Sequence, residues 1–310
     1  RKAVTKADLS PVTVVDFTVQ AIVLGLLARR FPDDGFIAEE ASDVLRRDGA
    51  ATAAVVDIVR RALDPAMTDT DVFAAIDLGA RGARPAAGGS NGTGMGRTWV
   101  LDPVDGTKGL LRGQQFCCAL AMLREGRPAA GVLGCPNLPL PGEGGEGGGG
   151  VGSGMLVYAA DGKGCYARPL TAAADAARRV YVSDVSSAAA ARFLEAVEAG
   201  HSSHGTAAAV REDVRSAAAS VRMDSQCKYA LLAMGRGECY LRLPSFGYVE
   251  SIWDHAAGAV AVTEAGGTVT DSVGRPLDFS LGAKMSREVV GIVATNGRIH
   301  EEVRMSFWRC

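Results

Sequence analysis

The sequence predicts a mixed α/β fold on three observations: helical stripes alternate with short apolar runs, no internal repeat is present, and acidic residues stand where apolar runs end. Taken in order, residues 13–30 place Val15, Val19, Ile22, Val23, Leu26 and Leu27 on a helical stripe that stops before Phe31-Pro32. Phe36-Ile37 and Trp99-Val100-Leu101 are short apolar runs ending at acids, the pattern of buried strands. Residues 116–123 and 129–133 are predicted as two strands joined by a turn at Glu125-Gly126, with Cys117 and Cys118 as buried strand residues. Strand character returns at 180–182, 240–243 and 289–294. Helices are predicted over 188–199, 228–234 and 252–265, the last closed by Gly266 and Gly267. Two glycine-rich stretches, 79–97 and 141–154, are predicted as surface loops. Gly145, Gly147 and Gly150 match a G-x-G-x-x-G spacing, but no strand leads into them and no helix pattern follows, which argues against a dinucleotide loop.

With 310 residues, the chain exceeds the size at which single cores stop growing, and a composition shift near 170–177 is the predicted boundary between two lobes. Hydrophobic residues at 47%, charged residues at 22% and 33 Lys+Arg against 35 Asp+Glu exclude a disordered chain and a nucleic-acid binder held by bulk positive charge. The longest apolar run, 19–28, ends at Arg29-Arg30 and is too short to cross a bilayer, so no membrane partner is expected. Seven cysteines without a C-x-x-C pair do not describe a disulfide framework and fit a reducing compartment. The expectation is the cytoplasm, with a plastid or mitochondrion as alternatives because the sequence starts at Arg1 and a segment upstream is unread. No G-x-x-x-x-G-K-[ST] motif occurs.

The chemistry concentrates in acids at strand ends: Glu39-Glu40 after Phe36-Ile37, Asp102 and Asp105 after Trp99-Val100-Leu101, and Asp254 in Ile252-Trp253-Asp254. Such carboxylates repel one another unless a cation lies between them, and carboxylate and carbonyl oxygens are the ligands Mg²⁺ prefers. The other reading is that single acids cap helices, since Thr13-x-x-Asp16 and Ser251-x-x-Asp254 both fit the capping box. Asp102-Pro103-Val104-Asp105-Gly106-Thr107 shifts the balance toward a site. It offers two side-chain ligands, the Val104 carbonyl between them, and backbone N–H groups at Gly106 and Thr107 for an anion. His201-x-x-His204 has no Cys or Glu partner at a zinc spacing, which argues against zinc.

Glu39-Glu40, WVLDPVDGT at 99–107 and IWDHAAGAVAVTEAGG at 252–267 resemble the three signature segments of the lithium-sensitive, Mg²⁺-dependent phosphatases of the inositol monophosphatase superfamily. Within it, FPDDGFIAEEAS at 31–42, DGTKGLLRGQQF at 105–116, GCPNLP at 134–139, HSSH at 201–204, MDSQCKYALLAMG at 223–235 and YLRLP at 240–244 are similar to the 3'(2'),5'-bisphosphate nucleotidases of yeast and plants. Lys108-Gly109 stands where inositol monophosphatases usually continue with Thr and Asn. The resemblance covers nearly the whole chain except the two glycine-rich stretches. It implies a layered α/β/α/β/α sandwich forming one catalytic unit, with a metal-binding lobe at about 1–169 and a second lobe at 170–310.

The resemblance further implies that Glu39, Asp102, the Val104 carbonyl, Asp105 and Asp254 hold Mg²⁺, with Glu40 behind them as an indirect partner. It implies that Asp16 and Thr107 position and deprotonate the attacking water. Gly106, Thr107, His204, Ser225, Lys228 and Arg242 would contact the substrate. The expected substrate is the small-molecule nucleotide adenosine 3',5'-bisphosphate, hydrolysed to AMP and phosphate, with 3'-phosphoadenylyl sulfate as a second substrate in sulfur metabolism. An inositol (poly)phosphate phosphatase with the same metal core is the nearest alternative. A catalytically silent sensor of the nucleotide is the alternative of another class.

Overall fold

The computed structural model describes residues 11–82, 96–140, 154–197, 204–244 and 247–310. The described residues start with helix α1 (Pro11–Arg30), which turns Phe17, Ala21 and Leu24 inward at helical spacing, whereas Val15 and Leu26 of the expected stripe are exposed. Helices α2 (Gly49–Ala62) and α3 (Asp69–Ile76) pack against it. Asp48 caps α2 through the Ala50 and Ala51 N–H groups, and a Thr68–Asp71 capping box starts α3. The sequence reading assigned no helix to either segment.

Seven strands form the first sheet in chain order: β1 (Gly35–Ala38), β2 (Arg97–Asp105), β3 (Cys117–Arg124), β4 (Arg127–Cys135), β5 (Met155–Ala160), β6 (Gly164–Pro169) and β7 (Arg178–Val180). β1 and β2 run parallel and the other neighbours antiparallel. The β3–β4 hairpin turns on Glu125 and Gly126, both at positive φ, as a tight two-residue turn requires. β8 (Phe193–Glu195), β9 (Val221–Arg222), β10 (Cys239–Arg242), β11 (Thr268–Asp271) and β12 (Ile292–Thr295) form a second sheet in the order β11-β12-β10-β8-β9.

The remaining helices complete the layers. α4 (Thr107–Leu111) follows β2; α6 (Cys227–Ala233) and α7 (Ala256–Glu264) lie between the sheets; α5 (His204–Asp213) and α8 (His300–Phe307) cover the outer face of the second sheet. With α1–α3 on the first sheet, the order is the expected α/β/α/β/α sandwich. Almost every residue of α7 is buried, as expected for a helix walled by two sheets. Its small side chains permit close approach: a Cβ at Gly258 would stand 2.2 Å from the Tyr229 ring of α6. Among the described residues, no helix is long and apolar enough to cross a membrane.

Four sequence expectations about elements are corrected. The helix expected over 252–265 begins as a 3₁₀ turn at Ile252–Asp254 and is α-helical only over Ala256–Glu264, because His255 breaks the helical backbone between them. The helix expected over 188–199 is a 3₁₀ turn at Ala188–Ala190 followed by β8. Phe193 packs into the outer core and Leu194 into the inter-sheet core, and this two-sided burial overrides the helix preference of the alanines. The strand expected at 180–182 ends at Val180, because the Val182 N–H donates to the Ala265 carbonyl at 3.0 Å rather than to a strand. The strand expected at 289–294 begins only at Ile292. Residues 83–95 and 141–153, most of the two glycine-rich stretches, lie outside the described residues.

Candidate active site

The site starts where β2 ends. Pro103 has no N–H for the ladder, and the β2–β3 register shifts between Asp102 and Asp105. The Val104 N–H turns to Asp102 Oδ1 at 3.1 Å, and Gly106 bends the chain into α4 at φ +87°. A Cβ there would lie 2.9 Å from the Ser225 Cβ, so glycine suits both the conformation and the space. The Thr107 hydroxyl donates to the Val104 carbonyl at 3.2 Å.

Residues 224–228 pack on this turn. The Gln226 N–H donates to Asp105 Oδ2 at 2.6 Å, and Asp224 pairs with Arg112 beyond the end of α4. Ser225 takes a left-handed conformation, φ +69°, and its Oγ accepts the Cys227 N–H at 3.2 Å. Lys228 is buried, with Nζ 3.0 Å from the Met223 carbonyl and 5.1 Å from the centre of the Tyr240 ring. Asp254 stands in a 3₁₀ turn and accepts the Ser251 N–H at 3.4 Å, so the expected capping box is present there. Arg242, at the end of β10, pairs through two nitrogens with Glu250.

These groups meet in one cleft of about 310 Å³. Of the expected site residues, Glu39, Asp102, Val104, Asp105, Gly106, Thr107, Ser225, Lys228, Arg242 and Asp254 line it. Lys108, Ala196, Asp224, Tyr240, Tyr248 and His255 join them without having been expected among the site residues. Asp16 and Glu40 are not in the lining. Asp16 is buried within α1, which overturns its reading as a cap: Thr13 already lies inside the helix, which is described from Pro11 onward. Its charge nonetheless reaches Glu39, and α1 touches α4. α5 begins at His204, whose side chain, like His201, lies outside the described residues.

Glu39 and Glu40 are held by a residue the sequence reading passed over. Gln20, fully buried on α1, accepts the Glu40 N–H at 3.0 Å and donates to the Glu40 carbonyl at 2.7 Å and the Ile76 carbonyl at 2.9 Å. A lone Gln on an apolar stripe carries no local signal for such a clamp.

The cleft holds groups of both charges. Burial, then the charges of Glu40, Asp254, Asp16 and Asp105, push the Glu39 carboxyl up to about 8, although the residue as a whole is exposed. Burial and the neighbouring acids hold Asp102 well above its ordinary range, and burial with Asp254 raises Asp105 to about 6 against the opposing pull of Lys228 and the Gln226 N–H. Burial also raises Asp254. Among the cations of the same cleft, burial lowers Lys228 to about 8 against the opposing charge of Asp105. A set of mutually repelling carboxylates and a carbonyl, all oxygen donors, fits a hard divalent cation, which would offset their repulsion. Among the described residues, Glu250, Asp254 and His255 also bring potential ligand atoms within 4.8 Å of one another, but Glu250 is engaged by Arg242.

The inositol monophosphatase family matches residues 2–310 of this sequence. The chain belongs to that family. It is 41% identical to a 3'(2'),5'-bisphosphate nucleotidase of Emericella nidulans, over 97% of this chain and 88% of the relative. It is 40% identical to a protein of the same name from Oryza sativa, over 95% of this chain and 83% of that one. Among solved structures, an inositol monophosphatase from Anabaena (Nostoc) sp. PCC 7120 superimposes with a TM-score of 0.51 at 21% identity, covering 96% of each chain. A dual specific IMPase/NADP phosphatase bound with D-inositol-1-phosphate superimposes with a TM-score of 0.59 at 16% identity, covering 99% of this chain and 84% of that one. The layered sandwich is thus the inositol monophosphatase fold.

Proposed function

We propose that this family member is a Mg²⁺-dependent phosphatase that removes the 3'-phosphate of adenosine 3',5'-bisphosphate, giving AMP and phosphate, and that it also accepts 3'-phosphoadenylyl sulfate. The observation carrying this reading is that one cleft is lined both by an acidic set, here called the acidic wall, and by two cations, Lys228 and Arg242, here called the basic wall, a combination that suits a ligand with two anionic groups. The names of the two relatives, both 3'(2'),5'-bisphosphate nucleotidases, agree with it.

In this reading Glu39, Asp102, the Val104 carbonyl, Asp105 and Asp254 would hold Mg²⁺, with Glu40 behind them. Bound there, the cation would neutralise phosphate charge and ease deprotonation of water. The Gly106 and Thr107 N–H groups orient the phosphate to be cleaved. The Thr107 hydroxyl passes a proton from the attacking water to Asp16, and the water oxygen forms the new bond to phosphorus as the bond from phosphorus to the 3'-oxygen breaks. The departing 3'-oxygen takes a proton from a second, solvent water, and Asp16 makes that loss good when it returns its proton to solvent. His204, Ser225, Lys228 and Arg242 receive the rest of the nucleotide. The whole acts as one catalytic unit of two lobes, the cleft taking residues from both.

Phosphate release from adenosine 3',5'-bisphosphate, with and without Mg²⁺ and beside inositol 1-phosphate, tests the proposal. The expected result is Mg²⁺-dependent release that favours the nucleotide and is lost in Asp102→Asn and Asp105→Asn, with circular dichroism unchanged. Preference for the inositol ester would transfer the assignment to the alternative substrate, and binding without turnover would make the protein a sensor.

A further inference from the structure

Glu250 does not line the cleft, yet both of its carboxylate oxygens face partners that do. Oε1 accepts from Arg242 Nε at 2.8 Å, and Oε2 lies 3.3 Å from Arg242 Nη2 and 3.4 Å from His255 Nε2. Glu250 is 1% exposed, and the Met285 N–H fixes its backbone carbonyl at 2.9 Å. On the far side, His255 Nδ1 meets the Tyr229 hydroxyl at 3.0 Å, so a buried chain of contacts runs from the central helices to the cleft wall.

The pair is bidentate, and two parallel contacts fix the plane of a guanidinium, not only its position. That constraint matters because Arg242 has competing attractions. Its charge reaches Asp254 and Asp105, and an arginine freed from Glu250 would be drawn toward them. With His255 and Arg242 beside it, Glu250 is held as the anion, at about 2.

We propose that Glu250 is a positioning residue that keeps Arg242 on the nucleotide wall, away from the acidic wall, and thereby sets the preference for substrates carrying a second phosphate. The proposal rests on the function proposed above and adds the origin of its selectivity.

The test compares Glu250→Gln with the unaltered protein on adenosine 3',5'-bisphosphate and on adenosine 3'-monophosphate, which has only the phosphate to be cleaved. The expected result is a KM roughly tenfold higher for the bisphosphate, with kcat and the monophosphate parameters moved much less. In an Arg242→Ala background, Glu250→Gln should add less than about twofold, because the two residues act as one unit. Equal loss on both substrates, or a full independent effect without Arg242, would overturn the proposal. Should Glu250→Gln fail to fold by circular dichroism, Glu250→Asp carries the test. It keeps the charge and withdraws it by one methylene, so an intermediate bisphosphate KM supports the role and an unchanged one overturns it. Calorimetric binding of the bisphosphate in metal-free buffer separates the two levels of inference. Absence of turnover in the unaltered protein would remove the phosphatase assignment, whereas an equal Kd in Glu250→Gln would remove the role of Glu250.

Discussion

Asp16 shows how one carboxyl changes meaning once its neighbours are known. On the sequence it fits a capping box with Thr13, but it lies within α1, buried and near enough to Glu39 to raise that group's pKa. Loss of a cap costs about 1 kcal/mol and leaves rates alone, whereas loss of a proton acceptor removes about two to four orders of magnitude from kcat. Asp16→Ala is therefore expected to depress kcat by at least about a hundredfold while the half-saturating Mg²⁺ concentration stays near that of the unaltered protein, as steady-state assays across Mg²⁺ concentrations would show. The acids of the 102–107 motif were legible because Pro, Gly and paired Asp residues leave few other uses for the segment. Their supports were not. Gln20 and the Arg112–Asp224 pair bridge positions far apart in sequence, and Glu250 meets Arg242 only because the chain folds back between β10 and the turn at Ile252–Asp254, so no local spacing reveals them.

Elements were legible where one period dominated. The α1 helix, the β3–β4 hairpin with its Glu125-Gly126 turn, and the glycine-closed end of α7 follow their local patterns, but the inward face of α1 is Phe17, Ala21 and Leu24 and not the expected stripe, whose Val15 and Leu26 are exposed. β8 did not, since it is three residues long among alanines, and it is a strand because neighbouring side chains enter different cores. The clamp from α1 to the segment after β1 also acts between elements. Gln20→Leu would leave the Glu40 N–H and the Glu40 and Ile76 carbonyls without that partner, a loss of about 1 to 3 kcal/mol per group left buried and unpaired. It is expected to lower the denaturant midpoint and, by releasing Glu39, to raise the Mg²⁺ requirement; a denaturation curve and a Mg²⁺ titration on one preparation check both.

Over the whole molecule, the acidic wall makes stability depend on pH in a definite sense. Glu39 titrates near 8 and Asp105 near 6 in the folded protein, above their ordinary values of 4.5 and 3.8, so the folded state holds protons that the unfolded state has released. Stability contributed in this way is complete at low pH and is lost as pH rises through about 4 to 8. Glu250, lowered to about 2, works in the opposite direction and stabilises above 4.5. The melting temperature of metal-free protein is expected to fall by a few degrees between pH 5 and pH 8, and Mg²⁺ should restore it more at pH 8; calorimetry at the two pH values, with and without Mg²⁺, measures this. The close approach of Gly258 to Tyr229 has a consequence of another kind. Tyr229 adjoins Lys228, and Gly258 lies four residues after Asp254 on the helix that follows its turn, so in the proposed reading a change at this contact moves Lys228 relative to Asp254. That span is a gauge for the separation of two phosphates. A single methyl at Gly258 would wedge the central helices apart and recalibrate it, so Gly258→Ala should lower the preference for the bisphosphate over adenosine 3'-monophosphate, measured as the ratio of kcat/KM, without touching a ligand.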